Sequence, residues 1–281
     1  MQRADGEILA AQAAEGFGVP FTLSTMSICS IEEVARNTSK PFWFQLYVMR
    51  DPDFAKRLVE RAKAAQCSAL VLTLDLQILG QRHADIRNGL SIPLKIKLSN
   101  LFDLLSKPSW CYQMARTKNR TFGNVMGHVK DITNLNSLTK WVQDQFDTKL
   151  NWDDVKRIKD WWGGKLIIKG IMDPDDAKMA QKCGADALVV SNHGGRQLDG
   201  VNSSISTLPE IKKAVYHMEV LMDGGISSGQ DILKAIAMGA EGVMIGRSFV
   251  YGLSAGGKEG VTKSLEILNK ELDMTMALCG R

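Results

Sequence analysis

Cysteine is scarce in this chain: Cys29, Cys67, Cys111, Cys183 and Cys279 are odd in number, and no two stand in a CxxC spacing. That excludes a disulfide-stapled miniprotein and reads as small buried residues in a reducing compartment. No apolar run approaches the roughly 18–20 residues of a spanning helix, so an integral membrane chain is not expected. Neither sign of charge dominates. The 35 Lys and Arg against 31 Asp and Glu leave +4, too little to imply nucleic-acid binding but enough to hide a local basic patch. The opening Met1–Gly18 has no basic stretch followed by an apolar one, so no signal peptide is expected. No motif with metal-ligand spacing is assigned. What is present, 44% hydrophobic and 23% charged residues over 281 positions, is the balance of a globular chain, read as one large domain spanning 1–281.

The dominant pattern is alternation of short apolar runs with amphipathic helices. Candidate strands are Phe21–Ser24, Phe42–Tyr47, Ala69–Thr73, Lys165–Lys169, Ala187–Val190, Val220–Met222 and Gly242–Ile245. Continuous apolar runs of this kind suit a parallel sheet buried on both faces. Ser30 with Glu33 reads as a capping box, and Asp51-Pro52 and Asp173-Pro174 as N-caps with proline at the first helical position. Gly184 and Gly239 stand where left-handed helix ends belong. No GxGxxG follows a strand, which weakens a doubly wound dinucleotide fold. Polar residues instead follow many strand ends: Gln45 and Tyr47, Thr73 and Asp75, Lys169, Ser191 and His193, Asp223, Gly246 and Arg247. That distribution predicts an α/β (β/α)8 TIM barrel. Only seven strands are legible and the chain opens on a helix, so the first barrel strand is expected to be missing. The gap from the strand start at 69 to the next at 165 marks a long insertion, about 77–150, after the third strand.

Four groups carry chemistry. His193 ends a strand on a glycine-flanked turn, where an imidazole can act as a general base. Arg196, three residues on, can hold a carboxylate through two parallel hydrogen bonds. The plain alternative is a surface turn that uses glycine for geometry. Asp75 can orient an imidazole and Arg82 can be a second carboxylate clamp; a helix N-cap and a solvated arginine remain the alternative. Lys169 is a lone cation at a strand mouth that can stabilise negative charge on a cofactor, or snorkel to solvent. Asp223-Gly224-Gly225 and Gly246-Arg247 close the last two strands, where barrels often build a phosphate site.

Taken in order, these motifs resemble the FMN-dependent L-2-hydroxy acid oxidising family. The residues that carry the resemblance are Thr22–Ala35, Phe42–Val48, Gln81–Ser91, Ile167–Ala177, Val189–Gly200 (ending SNHGGRQLDG), Met222–Gly225 and Gly242–Arg247. The most similar branch is the bacterial quinone-linked L-lactate dehydrogenases, and the resemblance covers essentially the whole chain. It implies an FMN cofactor contacted by Ser24, Gln45, Thr73 and Lys169, with Ser191 beside them. It further implies His193 as proton acceptor supported by Asp75, and Arg196 and Arg82 on the substrate carboxylate. Tyr47 would lie near the reacting oxygen, with Asp223, Gly225, Gly246 and Arg247 about the ribityl phosphate. The implied partners are L-lactate or a similar acid and a quinone, in a homo-oligomer, tetrameric by resemblance, peripheral on the bacterial inner membrane from the cytoplasm, with no nucleic acid.

Departures from the family are informative. A first strand bearing a substrate-binding tyrosine and a Pro-Thr-Ala flavin contact is absent, so the chain is expected to be an N-terminally truncated version of a longer protein. Ser227 stands where an arginine is usual, which predicts weaker FMN retention. Met26 stands where plant glycolate oxidases carry tryptophan, which argues against that specificity. The stretch Lys95–Lys130 interleaves seven Lys and Arg with Leu101, Phe102, Leu104, Leu105, Trp110, Tyr112 and Phe122 against one acid, Asp103. It is expected to lie on an anionic membrane surface, its alternative being an active-site lid with a solvated basic face. The competing functions are an oxygen-using 2-hydroxy acid oxidase, an FMN-dependent isoprenoid diphosphate isomerase and an inactive fragment.

Overall fold

Seven parallel strands lie side by side in chain order in a computed structural model of the protein. The structure describes residues 2–78, 80, 83, 87–88, 104–128, 141, 145 and 149–281. The strands are β1 (Thr22–Ser24), β2 (Trp43–Tyr47), β3 (Ala69–Thr73), β4 (Leu166–Ile171), β5 (Ala187–Val190), β6 (Glu219–Asp223) and β7 (Gly242–Met244). The helices among the described residues are α1 (Gly6–Phe17), α2 (Ile31–Arg36), α3 (Pro52–Ala64), α4 (Pro108–Arg116), α5 (Trp152–Trp162), α6 (Pro174–Lys182), α7 (Ser204–Ala214), α8 (Gly229–Ala237) and α9 (Arg247–Leu278), the last interrupted at Gly257. Parallel neighbours joined through helices give the expected βα architecture of a TIM-like barrel wall.

The local signals act where the sequence placed them. Ser30 and Glu33 exchange both bonds of a capping box at α2. The Asp51 side chain accepts from Asp53 and Phe54 N–H groups at the start of α3, and Asp173 accepts from Asp175 at the start of α6. Gly184 and Gly239 take the left-handed backbone expected after their helices.

Side chains on successive strand residues face opposite sides of the sheet, and the burial follows. Phe44, Leu46, Leu70, Leu72, Leu166, Ile168, Leu188 and Val220 belong to the main cluster under the helices, all essentially without solvent contact. The intervening Ala69, Val71, Ile167, Ala187 and Val189 form a second cluster with Trp43, Leu221 and Met244, which is the barrel-interior layer. Among the described residues, β1 pairs with β2 and β7 with β6, and no strand joins their outer edges. There α1 packs on α9, with Ala10 and Ala13 against Leu253 and Val261.

The long β3–β4 connection is tied to the barrel by Asn124, which is fully buried. Its amide donates to Ser27 Oγ at 3.0 Å, and its Oδ1 accepts from Ile31 N at 3.0 Å and Arg61 Nη2 at 3.2 Å. Arg61 also forms a two-pronged pair with Glu32 at 2.7 and 2.8 Å. That guanidinium holds the Glu32 carboxyl at about 2, well below the usual carboxylate range. Within Lys95–Lys130, the segment expected at a membrane surface, not every residue is free to face one. Thr117, Asn124 and Val125 are buried and Phe122 packs on the core, because their polar and apolar groups find partners inside. Residues 95–103 and 129–130 lie outside the described residues. The described residues that remain exposed include Leu105 and Tyr112, at 70% and 61%, on or beside α4, which buries no residue, together with Lys107, Arg116, Lys118 and Arg120.

Candidate active site

The C-terminal strand ends surround a cleft of about 810 Å³. Ser24, Gln45, Tyr47, Thr73, Lys169, His193, Arg196, Asp223, Gly225, Gly246 and Arg247 all line it. A row of polar groups crosses three strands at its floor. Ser24 Oγ donates to Gln45 Oε1 at 2.9 Å, and Gln45 Nε2 donates to Thr73 Oγ1 at 2.9 Å. Strand register explains the row, since Ser24, Gln45 and Val71 are neighbours across β1–β3 and Thr73 ends β3.

Lys169, two residues before the end of β4, sits between two partners. Its Nζ lies 2.7 Å from Asp223 Oδ2 and donates to Ser191 Oγ at 2.7 Å. Ser191 is fully buried, and its Oγ also accepts from the His193 backbone N–H at 3.1 Å. The His193 backbone is left-handed, at φ 57°, an unusual state for a residue with a side chain and one that clusters at functional sites. The turn is held by Asn192, whose Oδ1 accepts from Gly195 N at 3.1 Å.

His193 Nδ1 meets both Asp75 oxygens, at 3.0 and 3.1 Å, with both side chains mostly buried. An imidazole engaged at Nδ1 leaves Nε2 on the far side of the ring, and His193 lines the cleft. Asp75 reaches this position because Gly170 leaves room. The β4–β5 register shifts between Lys169 and Ile171, and Gly170 stands at φ 100° with Asp75 against it. A Cβ there would lie 2.7 Å from Asp75 Cβ and 2.8 Å from its Cγ. Sequence reading did not single out Gly170; a glycine inside an otherwise apolar strand was the available signal. Arg82 lies outside the described residues, so its expected place beside Arg196 has no structural counterpart here.

The cleft also has the features of an anion cradle, set beside the His193 turn: a Cβ on Gly194 would lie 3.0 Å from Arg247 Nη2. The first turn of α9 has no side-chain cap, so its N–H groups point outward beside Arg247, the arrangement that receives a phosphate. A Cβ at Gly225 or Gly246 would meet nothing within 4 Å, leaving open space along the backbone. Asp223 Oδ1 is buried without a hydrogen-bond partner, an acceptor matched to a hydroxyl. The start of α8 is different. Asp231 accepts from the N–H and Oγ of both Ser227 and Ser228 at 2.9–3.1 Å. Burial works to raise the Asp231 carboxyl, yet these hydrogen bonds lower it. Ser227 thus spends its hydroxyl on a protein carboxylate, where an arginine would offer a cation.

A barrel wall with a mostly buried carboxylate–histidine pair and, beside it, an uncapped helix start with an arginine defines a phosphate-bearing cofactor enzyme. The comparisons specify it. All of residues 1–281 match the model of the FMN-dependent dehydrogenases. An L-lactate dehydrogenase of Haemophilus influenzae (strain PittEE) is 46% identical over 275 residues, covering 97% of this chain and 72% of that protein. The solved structure of a monotopic membrane protein, (S)-mandelate dehydrogenase, superposes with a TM-score of 0.91 at 35% identity over 97% of this chain and 72% of that one. A mandelate oxidase carrying a monooxide FMN adduct superposes at 0.74 with 34% identity, over 98% of this chain and 70% of that one. The chain belongs to the FMN-dependent dehydrogenase family. Its cofactor is FMN, and the orphaned Asp223 oxygen, the open backbone at Gly225 and Gly246, and the uncapped start of α9 fit a ribityl phosphate.

Proposed function

We propose that the chain oxidises L-lactate, or a similar small L-2-hydroxy acid, to the 2-oxo acid, the electrons passing through FMN to a quinone. The observation that carries the reading is the His193–Asp75 pair at 3.0 Å, at the cleft wall that also bears Arg196. The identity to L-lactate dehydrogenases supports the choice of acid. Flavin, when bound, supplies a two-electron acceptor. Arg196 holds the substrate carboxylate, with Arg82 assigned as its second clamp, and Tyr47 stands near the reacting oxygen. His193 takes the substrate proton at Nε2, and Asp75 keeps the ring oriented and stabilises the imidazolium that results. Lys169, held by Asp223 and Ser191, would with Ser24, Gln45 and Thr73 hold the flavin ring, its cation matched to the negative charge that a reduced flavin carries. Gly225, Gly246 and Arg247 hold the phosphate end. Anaerobic titration of the FMN-loaded protein with L-lactate, D-lactate, glycolate and mandelate tests the reading. L-lactate is expected to bleach the visible flavin absorbance and D-lactate to leave it; no bleaching by any of the four overturns it.

Delivery to a quinone is read as taking place at a membrane surface. Among the described residues no helix is long and apolar enough to cross a membrane. The surface reading is supported by exposed Leu105 and Tyr112 beside Lys107, Arg116, Lys118 and Arg120. A solved relative is itself described as a monotopic membrane protein. Basic and aromatic side chains together suit an anionic headgroup layer. The protein is expected to sediment with anionic vesicles at low salt and to be largely released at high salt, since screening shortens the reach of exposed charges. Absence of binding at low salt overturns the surface assignment. Assembly into a homo-oligomer on the cytoplasmic side belongs to the same reading, and exposed Met274 and Leu278 near the end of α9 offer a face for it.

A further inference from the structure

Two loops carry the proposed acid–base pair: the one after β3 bears Asp75, and the one after β5 bears His193. They touch again farther out. A Cβ on Gly80 would lie 2.6 Å from the Gln197 carbonyl oxygen, 2.8 Å from the Arg196 carbonyl oxygen and 2.9 Å from Gln197 Cα. All three are backbone atoms, so no side chain can swing aside to make room. Beside this contact, Gln197 Nε2 donates to the Ile78 carbonyl at 3.2 Å. The β5 loop is therefore tied to the β3 loop on both sides of Arg196, by the His193–Asp75 pair and by the contact at residue 197.

We infer that Gly80 and Gln197 are positioning residues that set the seat of Arg196 and thereby the affinity for the substrate carboxylate; this rests on the carboxylate reading of Arg196 given above. Two parallel hydrogen bonds to a carboxylate require the guanidinium plane to be correctly placed, and a displacement of about 1 Å in a binding group can cost about 10²-fold. Gly80 allows the backbone of residues 196–197 to approach more closely than any residue with a side chain permits. His193 is anchored separately, by Ser191 Oγ on its N–H and by Asp75 on its ring, so the effect falls on binding before it falls on chemistry.

The test is Gly80→Ala and, separately, Gln197→Ala in the FMN-loaded full chain. KM and kcat for L-lactate are measured, together with calorimetric binding of oxalate, a dicarboxylate probe read without turnover. Gly80→Ala is expected to raise KM and the oxalate Kd together by about tenfold or more, with kcat changed by less than about threefold and FMN content unchanged. Gln197→Ala removes the hydrogen bond to the Ile78 carbonyl and is expected to raise both by about fivefold. A merely structural role would lower FMN content and kcat with KM unmoved. That pattern, or unchanged KM and oxalate Kd in Gly80→Ala, overturns the inference; should Gly80→Ala fail to fold, unchanged values in Gln197→Ala overturn it. Wild-type protein that neither oxidises L-lactate nor binds oxalate instead overturns the carboxylate reading beneath it.

Discussion

Replacing His193 by alanine is expected to slow flavin reduction by L-lactate by about 10²–10⁴-fold, the range for loss of a positioned general base. At about 1.4 kcal/mol per decade this is roughly 3–5 kcal/mol of transition-state stabilisation. The loss arises because the Asp75 carboxylate, 3.0 Å from Nδ1, has no ring left to orient and the substrate proton has no acceptor. Flavin itself should remain bound, since the open backbone at Gly225 and Gly246 and the uncapped start of α9 do not involve the imidazole. Alanine keeps the Cβ and so the cost of φ 57°, but Ser191 Oγ on the residue 193 N–H and Asn192 Oδ1 on Gly195 N remain, so the turn should persist. Anaerobic stopped-flow absorbance measures the rate, and the flavin spectrum measures retention. A normal rate of reduction in His193→Ala removes the histidine from its assigned role.

Gly170→Ala is expected to act on the same pair from behind. The added Cβ would fall 2.7–2.9 Å from Asp75 Cβ, Cγ and backbone N, and the residue would have to hold φ 100°, a conformation that costs a side-chain-bearing residue about 1–3 kcal/mol. Either β4 straightens or Asp75 retreats, and both separate the carboxylate from His193. The expected result is a fall in flavin reduction of about 10²-fold, with a lower unfolding temperature. Asp75→Asn distinguishes this route from general damage. If the effect passes through Asp75, the double variant Gly170→Ala, Asp75→Asn should reduce flavin little more slowly than Asp75→Asn alone, because coupled positions are not additive. Full additivity of the two losses would show that Gly170 acts by another path.

Much of this protein was legible along the chain because its signals are local. Apolar runs of strand length, the box of Ser30 with Glu33, and the Asp-Pro starts at 51 and 173 each act within a few residues, and each forms as read. The polar residues after strand ends were also visible, since a parallel barrel wall brings all such ends to one face whatever the loops do. That is why His193, Lys169, Gln45 and Thr73 could be grouped before any distance was known. The pairing among them was not legible from local pattern; the family resemblance alone implied that Asp75 supports His193. Whether Asp75 meets His193 depends on the register shift at Gly170 and on a contact 118 residues apart in sequence. The placing of Lys169 between Asp223 and Ser191 depends on three strands at once. The basic stretch read as one membrane face divides in space because Asn124 finds Ser27, Ile31 and Arg61 inside the fold. Composition cannot distinguish a buried amide from a solvated one. Local sequence determined the elements and the kinds of group at their ends; only tertiary packing decided which groups face one another, because hydrogen-bond partners are chosen by distances of a few ångströms that no spacing along the chain encodes.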